Sequence, residues 1–124
     1  MDCIFCKIAS GEIPSKKLYE DELVIVIMDI NPTVDGHILI IPKKHYTDYM
    51  ELDDEITSHI FNIAKEMGKK LINKLNVKSV TLLINYGDDQ KVKHYHLHLL
   101  PDFGTTDKSR AIRSIEENFN LINN

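Results

Sequence analysis

Residues 94–101 read HYHLHLLP, with histidines at 94, 96 and 98 and Tyr95, Leu97 and Leu99 between them. On a helix turning about 100° per residue, three such side chains would spread over roughly 200° of the circumference. On a strand they share one face. The alternation, closed by Pro101, predicts a strand with one apolar face and one imidazole face. Such a strand belongs in a sheet whose apolar side is covered by another layer.

The rest of the chain supplies sheet and cover. FCKIASGEIP reads as a short helix or turn closed by Gly11 and Pro14. KKLYED and LVIVIMD are strand-like and joined by a turn at 20–22, and HILIIP is a third strand. The intervening INPTVDG is a loop punctuated by Pro32 and Gly36. Ile56, Ile60, Ile63, Met67, Leu71 and Leu75 recur every three or four residues, which predicts one long amphipathic helix from Asp53 to about Leu75, with Asp53 or Asp54 capping its start. SVTLLINYG and KHYHLHLLP are the fourth and fifth strands, made antiparallel neighbours by the polar NYGDDQKVK between them. From Asp107 onward, Ala111, Ile112, Ile115 and Phe119 predict a closing helix. The expectation is an α+β fold in one domain, 1–124, with an antiparallel sheet of about five strands, one long helix and a C-terminal helix. The helices are expected on one sheet face, leaving the histidine face open.

A hydrophobic share of 43% and a charged share of 27% are those of an ordinary globular chain, so disorder is not the default. The net charge of -4 and the mixing of lysines with acids leave no broad basic face, and no nucleic-acid partner is expected. LVIVIM and HILIIP fall far short of the ~20 residues of a membrane helix, and the first residues carry no secretory pattern, which gives the expectation of a cytoplasmic protein without a membrane partner. In a reducing compartment, the C-x-x-C of Cys3 and Cys6 points to metal or redox chemistry before a structural disulfide.

One metal cannot take all three histidines. Positions 94 and 98 lie about 13 Å apart on a strand rising ~3.3 Å per residue, against a zinc–nitrogen distance of ~2.0 Å. A division of labour fits better: an end histidine joins the cysteines at a zinc site, the middle one acts on substrate, and the last stabilises charge. A neutral imidazole, with its ordinary pKa near ~6.5, is a competent nucleophile at neutral pH. His59, alone in the middle of the long helix, is assigned no role.

HYHLHLL fits the His-φ-His-φ-His-φ-φ signature, φ being apolar or aromatic, of the histidine triad family of nucleotide hydrolases and transferases. MDINPTVDGHILIIPKKH resembles that family's second hallmark, and the likeness runs from Cys3 to about Pro101. The resemblance implies that His96 is the nucleophile attacking the α-phosphorus of a nucleotide, with His98 and His37 flanking it. It implies further that Asp29 binds the ribose hydroxyls, that Phe5, Ile8 and Ile30 line the base pocket, and that Asn85 and Gln90 lie near the phosphate and leaving group. CIFCKI resembles the Hint-like branch, which implies one structural zinc per chain on Cys3, Cys6, His45 and His94, no organic cofactor, and a homodimer. A free thiol pair is the alternative for the cysteines. The implied activity is hydrolysis of an adenosine 5'-phosphoramidate-type purine nucleotide substrate releasing AMP. The alternatives are a diadenosine polyphosphate hydrolase and a nucleotide-binding regulatory module. The chain departs from the family pattern in a shorter hairpin before the triad, with Asp89 in place of a glycine and Lys91 in place of a small hydroxyl residue, and in Asp102 after Pro101.

Overall fold

The computed structural model describes residues 3–105 and 112–124. In chain order the elements are α1 (Ile4–Ala9), β1 (Lys17–Glu20), β2 (Val24–Met28), β3 (Ile38–Pro42), a 3-10 turn at Tyr49–Glu51, α2 (Asp54–Leu75), β4 (Val80–Leu83), a second 3-10 turn at Gly87–Asp89, β5 (Leu97–Pro101) and α3 (Ile115–Asn123). The strands form one sheet in the order β1-β2-β3-β5-β4, with every pairing antiparallel. The α+β class and the five strands are those the sequence predicts.

Every residue of β2 and β3 is buried, so the central hairpin is covered on both sides. Val24, Val26, Met28, Ile38 and Ile40 share one face with Leu97 and Leu99, under Ile56, Ile60, Ile63, Met67 and Leu71 of α2 and Ile122 of α3. The opposite residues, Ile25, Ile27, Leu39 and Ile41, lie under Cys3, Phe5 and Ile8. The expectation of an open histidine face is therefore corrected: α1 covers part of it. Strands that are apolar on both faces need cover on both, and Phe5 and Ile8 supply it.

Asp53 caps α2, its Oδ1 accepting from the Ile56 N–H at 2.9 Å, and Asn76 ends it in the left-handed region at φ 55°. The closing helix starts at Ile115, with Ser114 as its cap; the Asp107 and Ala111 part of that expectation lies outside the described residues. Among the described residues, no helix is long and apolar enough to cross a membrane.

The fifth strand is shorter than its sequence pattern. Pairing with β3 runs from Ile38↔Leu99 to Ile40↔Leu97, so His98 stands in the ladder while His94 and His96 precede it. The Tyr95 N–H donates instead to the Tyr46 carbonyl at 2.7 Å, tying this segment to the loop after β3. His94 turns its Nε2 toward the Pro42 carbonyl, 2.8 Å away.

The β2–β3 loop returns His37 to the sheet. The Asp29 N–H donates to the His37 carbonyl at 3.1 Å, and Gly36, at φ +79°, makes the preceding turn. A Cβ at Gly36 would run into Leu75 Cδ1 and stand 3.2 Å from Pro101 Cγ. Gly36→Ala is therefore expected to cost about 2–4 kcal/mol, from left-handed backbone strain plus overpacking. Urea unfolding measures it, and a loss under ~0.5 kcal/mol would show that the loop moves aside.

Candidate active site and metal centre

The hydrogen bonds around three imidazoles assign their protons. The backbone N–H of Thr33 donates to His37 Nδ1 at 3.1 Å, so a neutral His37 carries its proton on Nε2. That Nε2–H faces His98 Nδ1 at 2.8 Å, with Asp29 Oδ2 beside it at 3.3 Å. His98 then keeps its own proton on Nε2, a buried atom with no hydrogen-bond partner among the described residues. His96 donates from Nδ1 to the His94 carbonyl at 2.8 Å, which leaves the lone pair on its Nε2 free. The His96 and His98 rings are 4.9 Å apart between centroids. One imidazole thus offers a lone pair and its neighbour an unpartnered N–H.

Burial also keeps these rings neutral. It pushes His98 down to about 4, with the neighbouring His96 and His37 adding to the effect and Asp29 opposing it. His96 is held below its ordinary value by burial, against the His94 carbonyl and the Asp29 charge. Burial lowers His37 too, opposed by Asp29.

A second cluster gathers on the other side of His94. Cys3 Sγ and Cys6 Sγ lie 3.2 and 3.4 Å from His94 Nδ1, and Cys6 Sγ lies 3.3 Å from His45 Nδ1. The two Nδ1 atoms are 3.2 Å apart. A tetrahedron with zinc–nitrogen bonds of about 2.0 Å and zinc–sulfur bonds of about 2.3 Å has edges of roughly 3.3 to 3.8 Å, close to these separations. The Nε2–H of His94 donates to Pro42, which aims the Nδ1 lone pair at the cluster, the outer-shell contact metal-binding histidines use. Burial pushes the Cys6 thiol up to about 11, with Cys3 adding to the shift, so Cys6 keeps its proton at neutral pH until a cation displaces it. These four residues could hold a metal. Asp29, His37 and His98 lie equally close together, but the Thr33 N–H on His37 Nδ1 leaves a proton where that metal would bind.

The other residues singled out in the sequence fall as follows. Phe5 is buried edge-on against both His94 and His96, at 6.0 and 4.9 Å between centroids, and Ile8 is buried beside it in the same cluster. Asp29 faces His37 with one oxygen, and its other oxygen accepts from the Asn31 N–H. Ile30, next to Asp29, is 70% exposed. Asn85 is half-buried. Gln90 is buried, with its amide N–H committed to the Thr47 carbonyl at 2.6 Å. Lys91 lines an open cleft with Lys93, Thr47, His45 and Ile4. Sequence reasoning missed His59, which bonds Asp21 at 2.7 Å and pins the β1–β2 turn to α2; a lone histidine on a helix carries no signal of a partner 38 residues away. It also missed the Thr33 contact, because a backbone donor leaves no trace in residue type.

Comparison with known proteins adds four findings. The pattern of the HIT domain matches residues 10–105. Protein hit from Bacillus subtilis is 37% identical over 113 residues, spanning 90% of this chain and 78% of that one. The adenosine 5'-monophosphoramidase of Schizosaccharomyces pombe is 40% identical over 103 residues, 82% of this chain and 74% of its own. Among solved structures, a zinc-bound histidine triad family protein from Mycobacterium smegmatis superposes with a TM-score of 0.88 at 31% identity, covering 99% of this chain and 91% of that one.

Proposed function

We propose that this chain, which belongs to the HIT domain family, hydrolyses the bond between the α-phosphorus of a purine nucleotide and its leaving group, with adenosine 5'-phosphoramidate the foremost substrate and AMP the product. One observation carries the reading: the His96 ring, whose Nδ1 proton is committed to the His94 carbonyl, lies 4.9 Å between centroids from the His98 ring, whose Nε2 is buried and unpartnered among the described residues. His96 Nε2 attacks the α-phosphorus, forming a P–N bond as the bond to the amine, protonated in the substrate, breaks and its electron pair leaves with neutral ammonia. Water then attacks the same phosphorus, the P–N bond breaks with its electrons returning to His96, and the oxygen stays on AMP while the proton shed by water passes to the released ammonia. The Nε2–H of His98 donates to a non-bridging oxygen, where negative charge develops, and His37 with Asp29 holds His98 in the required tautomer. The relative from Schizosaccharomyces pombe, named for phosphoramidate cleavage, supports this substrate class.

Cys3, Cys6, His45 and His94 would hold one zinc ion. Four protein ligands close its coordination, so it supplies structure and offers no position to substrate. Phe5 and Ile8 form the floor of the base site, Asp29 remains within reach of a ribose diol from its half-buried loop, and Asn85 and Gln90 flank the leaving group.

Side-by-side steady-state assays on adenosine 5'-phosphoramidate and diadenosine polyphosphates test the reading, with the phosphoramidate expected to give the higher kcat/KM. The reverse order would make the chain a dinucleoside polyphosphate hydrolase. Failure on both with AMP still bound would make it a binding module.

Neutral histidines set the pH dependence. Because burial holds His96 below its ordinary value, kcat/KM is expected to stay level from about pH 8 to 6.5 and to fall only at lower pH. Stability follows the same sign. The unfolded chain takes up a proton at His98 near ~6.5, whereas the folded chain does so only at about 4, so stability is complete above about pH 6.5 and declines as pH falls toward 4. A pH–rate profile whose acid limb lies above 7 would contradict the nucleophile's environment.

The chain is also proposed to pair as a symmetric homodimer. Among the described residues, strand β4 is a sheet edge without a further strand beside it, with Leu82, Ile84 and Tyr86 exposed along and beyond it and Phe61 and Ile72 exposed on α2. An apolar edge of this kind is satisfied by pairing with its own copy. Sedimentation at micromolar concentration is expected to give twice the 14.3 kDa mass, and the single mass would refute it.

A further inference from the structure

We infer that the metal centre orients the nucleophile, with His94 as the positioning residue, so that metal occupancy governs whether His96 presents its lone pair. The inference rests on the reading of His96 as nucleophile.

Three groups of His94 are committed in three directions. Its Nδ1 faces the two thiols and His45, its Nε2–H donates to the Pro42 carbonyl, and its own carbonyl accepts the Nδ1–H of His96. That last bond decides the His96 tautomer. The residue that closes the metal cluster is thus the one that places the proton of the nucleophile, two positions away in the chain.

A second connection runs through α1. Cys3 caps this helix, accepting from the Cys6 N–H, and both thiols point to His94. Between them in sequence, Phe5 packs edge-on against both the His94 and His96 rings. Six residues are too few for a helix to persist alone. A metal bridging Cys3 and Cys6 to His45 and His94 therefore clamps α1, and with it Phe5, against the nucleophile. Without the metal, the Cys6 pair of contacts at 3.3 and 3.4 Å and the Cys3 contact at 3.2 Å are thiol–imidazole hydrogen bonds, far weaker than bonds to zinc. Both routes to His96 then loosen together.

The test reads His96 directly. In uniformly ¹⁵N-labelled, zinc-loaded protein, two-bond imidazole NMR correlations are expected to show His96 as the Nδ1–H tautomer. After chelation, with α2 and the sheet followed by circular dichroism, that signature is expected to collapse to a mixture of tautomers and AMP affinity to fall at least tenfold. Cys6→Ser is expected to reproduce both changes, and Cys6→His, which keeps a fourth ligand, to restore zinc, tautomer and affinity together. Zinc-loaded Phe5→Ala keeps all four ligands, so it tests the second route even where the stripped chain unfolds: a mixed His96 signature is expected. A stripped but folded chain with an unchanged His96 tautomer and AMP affinity, or an unchanged tautomer in zinc-loaded Phe5→Ala, overturns the inference. Because the NMR readout needs no substrate, it stays informative even if every turnover assay fails.

Discussion

His96→Ala is expected to lower kcat/KM by at least about 10⁴-fold, equivalent to about 5.4 kcal/mol of transition-state stabilisation, while AMP affinity changes by only a few-fold. The size follows from chemistry: among His37, His96 and His98, His96 alone keeps a lone pair on Nε2, because its Nδ1 proton is committed to the His94 carbonyl. His37 and His98 cannot substitute. The Nδ1 of His37 accepts from Thr33, its Nε2–H faces His98, and His98 presents a proton where a nucleophile needs a lone pair. Binding survives because Phe5, Ile8 and Asp29 are held by other contacts. Steady-state kinetics paired with AMP calorimetry separates the two effects, and a variant retaining more than a tenth of wild-type kcat/KM would refute the role.

The second large effect is expected from the metal. Metal analysis is expected to give about one zinc per chain, and chelation to lower Tm by at least about 10 °C. Cys3, Phe5 and Ile8 are buried against β2 and β3, so releasing α1 uncovers the face formed by Ile25, Ile27, Leu39 and Ile41. Loss of apolar cover there adds to the lost coordination bonds. Metal-free protein with an unchanged Tm would return Cys3 and Cys6 to a free thiol pair.

Periodicity made most of this fold readable. The β-branched runs of β2 and β3 predict strands, and the three-or-four spacing of Ile56, Ile60, Ile63, Met67 and Leu71 predicts one buried helical stripe, and both appear as written. The alternation at 94–98 also reports burial, but it says nothing about where pairing stops. His94 and His96 leave the ladder because Tyr95 bonds Tyr46 and His94 bonds Pro42, long-range contacts that no local pattern encodes. The cover over the histidine face was missed for a similar reason: Phe5 and Ile8 look like an ordinary short amphipathic turn until the isoleucines they cover are known to lie on one face.

The site was legible in its residue types and opaque in its protons. His45 came into view only through family resemblance, since one histidine in a loop 39 residues from Cys6 has no spacing to betray it. The tautomers of His37, His96 and His98 depend on a backbone N–H and a backbone carbonyl. Of the two residues that depart from the family pattern in the hairpin, Lys91 lines an open cleft and Asp89 ends the 3-10 turn before it.

The central claim is a covalent nucleotidyl-histidine, and stereochemistry at phosphorus tests it without requiring the intermediate to accumulate. A P-chiral thio-analogue of adenosine 5'-phosphoramidate, hydrolysed in ¹⁸O-labelled water, passes through two in-line displacements if His96 attacks first. Net retention of configuration is the expected result; net inversion would mean that water attacks phosphorus directly and would contradict the account.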